Sequence, residues 1–379
     1  MPTPPLSREL MIEAVEAYHK SGQNKDAAAR LLDIPSGTYD NRLKRAKAAG
    51  LLTDPAVKAG MDSIGTGLVP SGMWVKTAPT DGEPGYSLYL RPLSQDSDPE
   101  RILEAIREGL ADLPRAIALP PVEASRGLCA VFPVADLHMG MLADKEEVGA
   151  DWDTKISRRV FEETFAKIVS MTPRAEMAVL AQLGDLTHSD DQRNVTPQSG
   201  HQLDVDSRYF LILRRAVAAM KAAIESLRIR YPLVIYRGCR GNHDITAHYA
   251  VTLALMEHYR DVPGVQIIDH AGEFYVHEFG ANMVLLHHGD RAKPDRLVHF
   301  AAAEWPEIWG RTKHRIALSG HVHHARAVEV GGMAFESVGT IIPRDAYAYS
   351  NAYSARRALV SITLDRDQGE VSRARVNVA

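Results

Sequence analysis

Residues 179–188 read Val-Leu-Ala-Gln-Leu-Gly-Asp-Leu-Thr-His. An apolar run ending in Gly184-Asp185 predicts a buried strand whose tip presents one carboxylate. In open α/β sheets such tips are where ligands bind. Gly and Asp also suit an ordinary turn, so Asp185 needs partners elsewhere in the chain to mean more. His188, three places on, makes a metal ligand beside a substrate-touching imidazole one possibility.

Four further stretches have the same form. Leu128 to Val134 leads to Asp136-Leu137-His138, and Leu233 to Arg237 leads to Gly241-Asn242-His243-Asp244. Val284 to Leu286 leads to His287-His288-Gly289, and Ile316 to Leu318 leads to Gly320-His321-Val322-His323. In each, an apolar strand delivers Asp, Asn or His with glycine close by, and glycine lets a backbone turn sharply at a crowded site. One such station is weak, but five in order point to a metal site built from strand ends. Imidazole, carboxylate and amide donors together suit Mn²⁺, Fe or Zn²⁺ and do not suit Ca²⁺. Of 16 histidines, many lie in the second half of the chain beside these residues.

Over about Leu128 to Val338 this set resembles the calcineurin-like metallophosphoesterases, a group that includes double-strand-break repair nucleases, purple acid phosphatases and cyclic-nucleotide phosphodiesterases. The order of the stations also looks like phage-encoded phosphoesterases with an N-terminal helix-turn-helix. The resemblance implies an α/β fold, a two-sheet αββα sandwich, and two divalent metal ions, with manganese first and iron or zinc as alternatives. It assigns Asp136, His138 and His323 to one metal, Asn242, His288 and His321 to the other, and Asp185 to both. It makes His243 the general acid at the leaving group, steered by Asp244, and His188 a contact to the substrate phosphate. At the fourth station His288, directly before glycine, is the expected ligand and His287 its neighbour. A metal-activated water would attack in line, so no side-chain nucleophile is required.

Ahead of the stations, Leu6 to Leu52 reads as three helices: Ser7 to Lys20, Lys25 to Leu32, and Thr38 to Ala49. Small alanines, a short turn and a third helix form the helix-turn-helix pattern. Arg42, Lys44, Arg45 and Lys47 could face phosphates, and Thr38, Tyr39 and Asn41 could reach base edges. DNA is therefore an expected partner, through residues 24–50 and the active-site face. The expected domains are 1–52, a linker over 53–125 with a small hairpin and a helix from Ser97 to Leu113, and 126–379.

At 379 residues the chain exceeds one ordinary domain. No run of apolar residues is long enough to span a bilayer, and the start lacks the basic head and apolar core of a secretory signal. Cys129 and Cys239 are too few for a disulfide framework, which suits a cytoplasmic protein. A net charge of −4 confines any nucleic-acid affinity to local basic patches. Three functions fit: a nuclease acting on DNA, a phosphomonoesterase of phosphoproteins or nucleotides that docks through its helical domain, and a binding protein with a vestigial site. The helix-turn-helix, with Arg291, Lys293 and Arg296 past the fourth station, favours the first. The polar stretch Ser189 to Arg208, leaving the rim at His188, is the expected substrate-selecting loop.

Overall fold

The computed structural model describes residues 7–22, 24–48, 68–77, 84–92, 116–120, 122–197 and 199–378. The helix expected from Ser97 to Leu113 lies outside them. Two compact units form, Met1–Gln95 and Asp96–Ala379. No helix among the described residues is long and apolar enough to cross a membrane.

The first unit holds α1 (Arg8–Lys20), α2 (Lys25–Leu31) and α3 (Ser36–Ala48), then a hairpin of β1 (Leu68–Thr77) and β2 (Pro84–Pro92). Ser7 caps α1 and Asn24 caps α2, each accepting a backbone N–H of the first turn. Ala14, Ala17, Ala28, Ala29, Tyr39 and Leu43 form the helical core. Tyr39 therefore does not reach outward as expected. It is fully buried, because its position on α3 faces α1, and its hydroxyl donates to the Ala14 carbonyl at 2.9 Å. Arg42 is half-buried against Glu13 at 3.3 Å, while Thr38, Asn41, Lys44 and Arg45 remain exposed.

The second unit is built on two sheets. In chain order its elements are β3 (Leu128–Val134), α4 (Lys145–Val148), α5 (Thr154–Met171), β4 (Met177–Gln182), α6 (Tyr209–Arg228), β5 (Val234–Gly238) and α7 (Ala247–His258). They continue with β6 (Val265–Ile267), β7 (Tyr275–Phe279), β8 (Asn282–Leu286), α8 (Pro294–Glu304), α9 (Pro306–Arg311) and β9 (His314–Ser319). The last are β10 (Arg326–Val330), β11 (Met333–Ser337), α10 (Ala346–Ser350), β12 (Ala358–Asp365) and β13 (Gly369–Asn377). One sheet runs β13-β12-β3-β4-β5-β6, with β3 to β6 parallel; the other runs β10-β11-β9-β8-β7, with β8, β9 and β11 parallel.

Side-chain alternation explains the layers. Cys129 and Val131 of β3 face the second sheet with Val179, Ala181, Val284, Leu286 and Leu318. Ala130 and Phe132, one residue out of phase, face Phe161, Phe165, Ile212 and Val251 on α5, α6 and α7. Beyond the second sheet, Met283, Leu285, Ala317 and Phe335 pack on Leu297, Val298 and Ala301 of α8. Both faces of the central strands are covered, which is why they read as unbroken apolar runs. The result is the αββα sandwich expected. Cys239 is a small buried residue of the inter-sheet core, and both cysteines are free.

Two elements differ from expectation. The sequence from Val205 to Ile229 reads as one long helical stretch, but residues 205–208 are not the start of α6, because Asp206 is held elsewhere: its N–H donates to the Gly140 carbonyl and its carboxylate accepts from Thr154. The edge strand β13 was not anticipated, since Glu370 to Asn377 alternates polar with weakly apolar residues and lacks an apolar run.

The inter-sheet core also buries His277 of β7, whose ring nitrogen lies 4.0 Å from Cys129 Sγ. Burial pushes its pKa down to about 4. The folded value lies below the unfolded one, near 6.5, so the unfolded chain binds more protons between these values. Stability from this residue is complete above about pH 6.5 and is lost as pH falls toward 4. His277→Leu is expected to remove up to about 3 kcal/mol of the acid sensitivity. Urea unfolding at pH 7 and pH 4.5 measures it, and an identical acid loss in variant and parent would refute it.

Candidate metal centre

All five stations emerge at the C-terminal ends of parallel strands, β3, β4 and β5 of one sheet and β8 and β9 of the other. The strand-end carboxylates and imidazoles are drawn together by backbone contacts between stations. Asp136 N–H donates to the Gly184 carbonyl at 3.1 Å and His138 N–H to the Asp185 carbonyl at 2.9 Å. His321 N–H donates to the Asp136 carboxylate at 2.9 Å. Five expected ligands, Asp136, His138, Asp185, His321 and His323, adopt left-handed φ values between 41° and 69°. For residues with a Cβ this region is costly, and it persists only where the surroundings over-determine it.

The expected ligands fall into groups whose donor atoms lie within 4.8 Å of one another. Asp136, His138 and His323 form one; Asp185, His288 and His321 form another. Asp185 Oδ2 stands 3.7 Å from His138 Nε2 and 3.3 Å from His288 Nε2, so one oxygen faces both. Asn242 Oδ1 lies 3.0 Å from His288 Nε2 and 2.9 Å from His321 Nδ1. His287 is turned away, its ring 5.8 Å from that of Phe274.

A third group joins His138, His188 and His243. His188 is buried, its Nδ1 3.1 Å from His138 Nδ1, and its ring stacks on His243 at 5.4 Å. His243 thus sits against His138 rather than apart from the ligands. Its Nδ1 bonds the His188 carbonyl at 2.8 Å, which places a proton on Nδ1 and leaves Nε2 outside that bond. Asp244 does not steer this ring. Both its oxygens are taken by backbone N–H groups: Gly241 at 2.8 Å, Asp185 at 3.1 Å and Leu186 at 2.7 Å. It clamps the tip that carries Asp185.

The electrostatics call for positive charge here. His288 Nδ1 bonds the Leu183 carbonyl and so carries a proton, while Nε2 faces Asn242 Oδ1 and Asp185 Oδ2. A ring nitrogen, an amide oxygen and a carboxylate oxygen facing one another call for a proton or a cation among them. Burial opposes a charged ring, yet Asp185 raises His288 to about 10. Burial likewise works against the Asp185 charge, but His288 holds that carboxyl well below its usual range. Burial keeps His138 far below its normal value and brings His188 down to about 3, so both are neutral donors. Neutral imidazoles, two carboxylates and an amide oxygen are a donor set that fits divalent transition metals.

Three contributors carried no motif. Thr340 Oγ1 donates to the Asp136 carbonyl at 2.7 Å and holds its strained backbone. Asp190, at the start of the expected selecting loop, accepts from Thr246 and Ala247 N–H and ties that loop to α7. Arg240 pairs with Asp290 at 3.2 Å. Of the basic residues past the fourth station, Arg291 is paired with Glu273 at 3.2 Å, while Lys293 and Arg296 are exposed.

No family model and no curated protein matches the chain. Solved structures similar to it include the phosphoesterase YfcE from E. coli, at 15% identity over 65% of this chain and 98% of that one, with a TM-score of 0.32. A novel archaeal phosphodiesterase is 9% identical over 66% and 99%, with a TM-score of 0.32. Vps29 complexed with zinc from Entamoeba histolytica is 14% identical over 65% and 98%, with a TM-score of 0.28. At such TM-scores these likenesses carry no weight of their own beside the residues.

Proposed function

We propose that the chain is a metal-dependent phosphoester hydrolase that holds two divalent cations and cuts phosphodiester bonds in DNA. The observation that carries this reading is Asp185 Oδ2, set between an imidazole of one donor group and an imidazole of the next. Asp136, His138 and His323 would hold one cation, Asn242, His288 and His321 the other, and Asp185 both. When bound, such a pair supplies Lewis-acid polarisation of the phosphoryl group and a water acidified at neutral pH. The chain's own residues do the rest. The Asp244 clamp fixes the Asp185 backbone, and the Leu183 carbonyl fixes the His288 tautomer. His243, with its Nδ1 proton committed to a carbonyl, offers Nε2 to carry the proton that the leaving oxygen takes.

Purified protein with Mn²⁺, linear and circular DNA, an aryl phosphodiester and an aryl phosphomonoester tests this. Both DNA and the diester should be cut. DNA cleavage no greater than that of Asp185→Asn would remove the nuclease reading, and rapid monoester turnover with an inert diester would replace it with a phosphatase. His243→Gln should lower kcat on DNA by about 10²–10⁴-fold while sparing a diester whose nitrophenolate leaves without a proton. Equal losses on both, with loss of metal, would make His243 a ligand instead of an acid.

A further inference from the structure

We propose that a strip running from α10 across the first turns of α5 to the start of α6 binds single-stranded nucleic acid; the proposal rests on the phosphodiester reading and narrows its substrate. The strip begins with three tyrosines. Tyr347, Tyr349 and Tyr353 are 63%, 50% and 59% exposed within seven residues. Isolated apolar side chains on a surface need no explanation, but a cluster of rings does. These rings are also held in place. Asp345 caps the helix beneath them, accepting from Ala348 N–H at 2.7 Å. The Arg344 guanidinium lies 4.9 Å over the Tyr349 ring.

The tyrosine segment is anchored beside α5. Ile342 and Ala346 pack in one cluster with Met141, Val148 and Trp152, together with Ile156 and Val160 of α5. Arg357 covers Trp152 at 5.1 Å. On α5 itself, Lys155 and Arg159 are exposed and no carboxylate among the described residues pairs with them, whereas Arg158 is paired with Glu162 at 2.7 Å. They line a hollow of about 460 Å³ with Arg158, Glu162 and Glu163 of the same helix and Arg215 of α6. Arg208 and Phe210 line a second hollow of about 500 Å³. The two meet where Asp206 holds Thr154 at 2.7 Å and Arg215 holds Ser207 at 3.0 Å.

The strip's anchor is tied to the metal centre. Its segment starts at Thr340, which holds Asp136, and Met141 lies three residues past His138. Cations along such a path neutralise backbone phosphates, and exposed rings stack on bases of any sequence. Only an unpaired strand offers base faces to those rings; a duplex buries them.

Fluorescence anisotropy of the full chain in EDTA, with a labelled oligothymidylate, an oligouridylate and a blunt duplex of equal length, tests this. Tyr347→Ala/Tyr349→Ala/Tyr353→Ala should weaken single-strand binding about tenfold or more and leave duplex binding unchanged. Lys155→Gln/Arg159→Gln should flatten the salt dependence of single-strand binding by about 1.4 in log–log slope. Melting curves matching the parent exclude general damage. Unchanged single-strand binding in both variants, or equal loss on duplex and single strand in the tyrosine variant, overturns the proposal. None of these five residues belongs to the metal centre, so aryl diester hydrolysis should stay at the parent rate. A parent chain that binds single strands and hydrolyses no diester would keep the strip and remove the catalytic reading.

Discussion

Asp185→Ala is expected to abolish binding of both metal ions and to lower hydrolysis by about 10⁴-fold or more, since the pair supplies several kcal/mol of barrier reduction and each 1.36 kcal/mol is tenfold. The reason is positional. Its Oδ2 faces both imidazole groups, and its Oδ1 accepts the His243 N–H at 2.8 Å, so one carboxylate serves three stations. Asp136→Ala provides the contrast. As a donor Asp136 groups with His138 and His323, and it meets the other group only through the His321 backbone N–H, so that variant should lose one ion and keep the other. Elemental analysis of dialysed protein reads both outcomes. An Asp185→Ala protein that keeps two ions per chain, or loses the same single ion as Asp136→Ala, would refute the shared role.

Gly241→Ala is expected to be nearly as severe without touching a charged group. A Cβ there would sit 2.0 Å from Asp185 Oδ1, 2.2 Å from the Asp185 nitrogen and 2.7 Å from Asp244 Oδ1. None can yield: the nitrogen is backbone, and the carboxylates are fixed by their own hydrogen bonds. Either the third station moves away and metal is lost, or the fold bears a cost of about 3 kcal/mol or more, above ordinary overpacking. Gly310→Ala is the matched control. Nothing lies within 4 Å of that Cβ, and Gly310 is inside α9. It should be neutral or stabilising by about 0.5–1 kcal/mol. Melting temperature and metal content together decide; a Gly241→Ala protein matching the control in both would refute the crowding.

Much of the centre was legible because each station is local. An apolar strand announces itself by composition, and Gly-Asp, Gly-Asn-His or His-x-His directly after it needs no tertiary knowledge. The choice of His288 over His287 rests on the resemblance, whose pattern places the ligand directly before glycine; adjacent residues of a strand point to opposite faces. Asp244 shows where locality ends. Its neighbour in sequence, His243, was the natural partner, but its carboxylate finds three N–H donors from two stations instead, because a buried acceptor must be satisfied wherever donors converge. Tyr39 follows a related rule: a side chain near the start of a basic helix reads as outward, and burial against α1 outweighs that reading.

The chain by itself determined which atoms are available for chemistry and the order in which strands deliver them, since period-two patterning and residue type are written in the sequence. Only the tertiary structure decided which of those atoms share a point in space. It placed one oxygen of Asp185 between His138 and His288, which are 150 residues apart in the chain. It likewise packed Ile342 and Ala346, just ahead of the tyrosines, in one cluster with Ile156 and Val160 of α5, and assigned Thr340 to the Asp136 carbonyl. Such juxtapositions depend on strand order and on the packing of two sheets across a shared core, and contacts between distant segments leave no periodicity for a sequence to display.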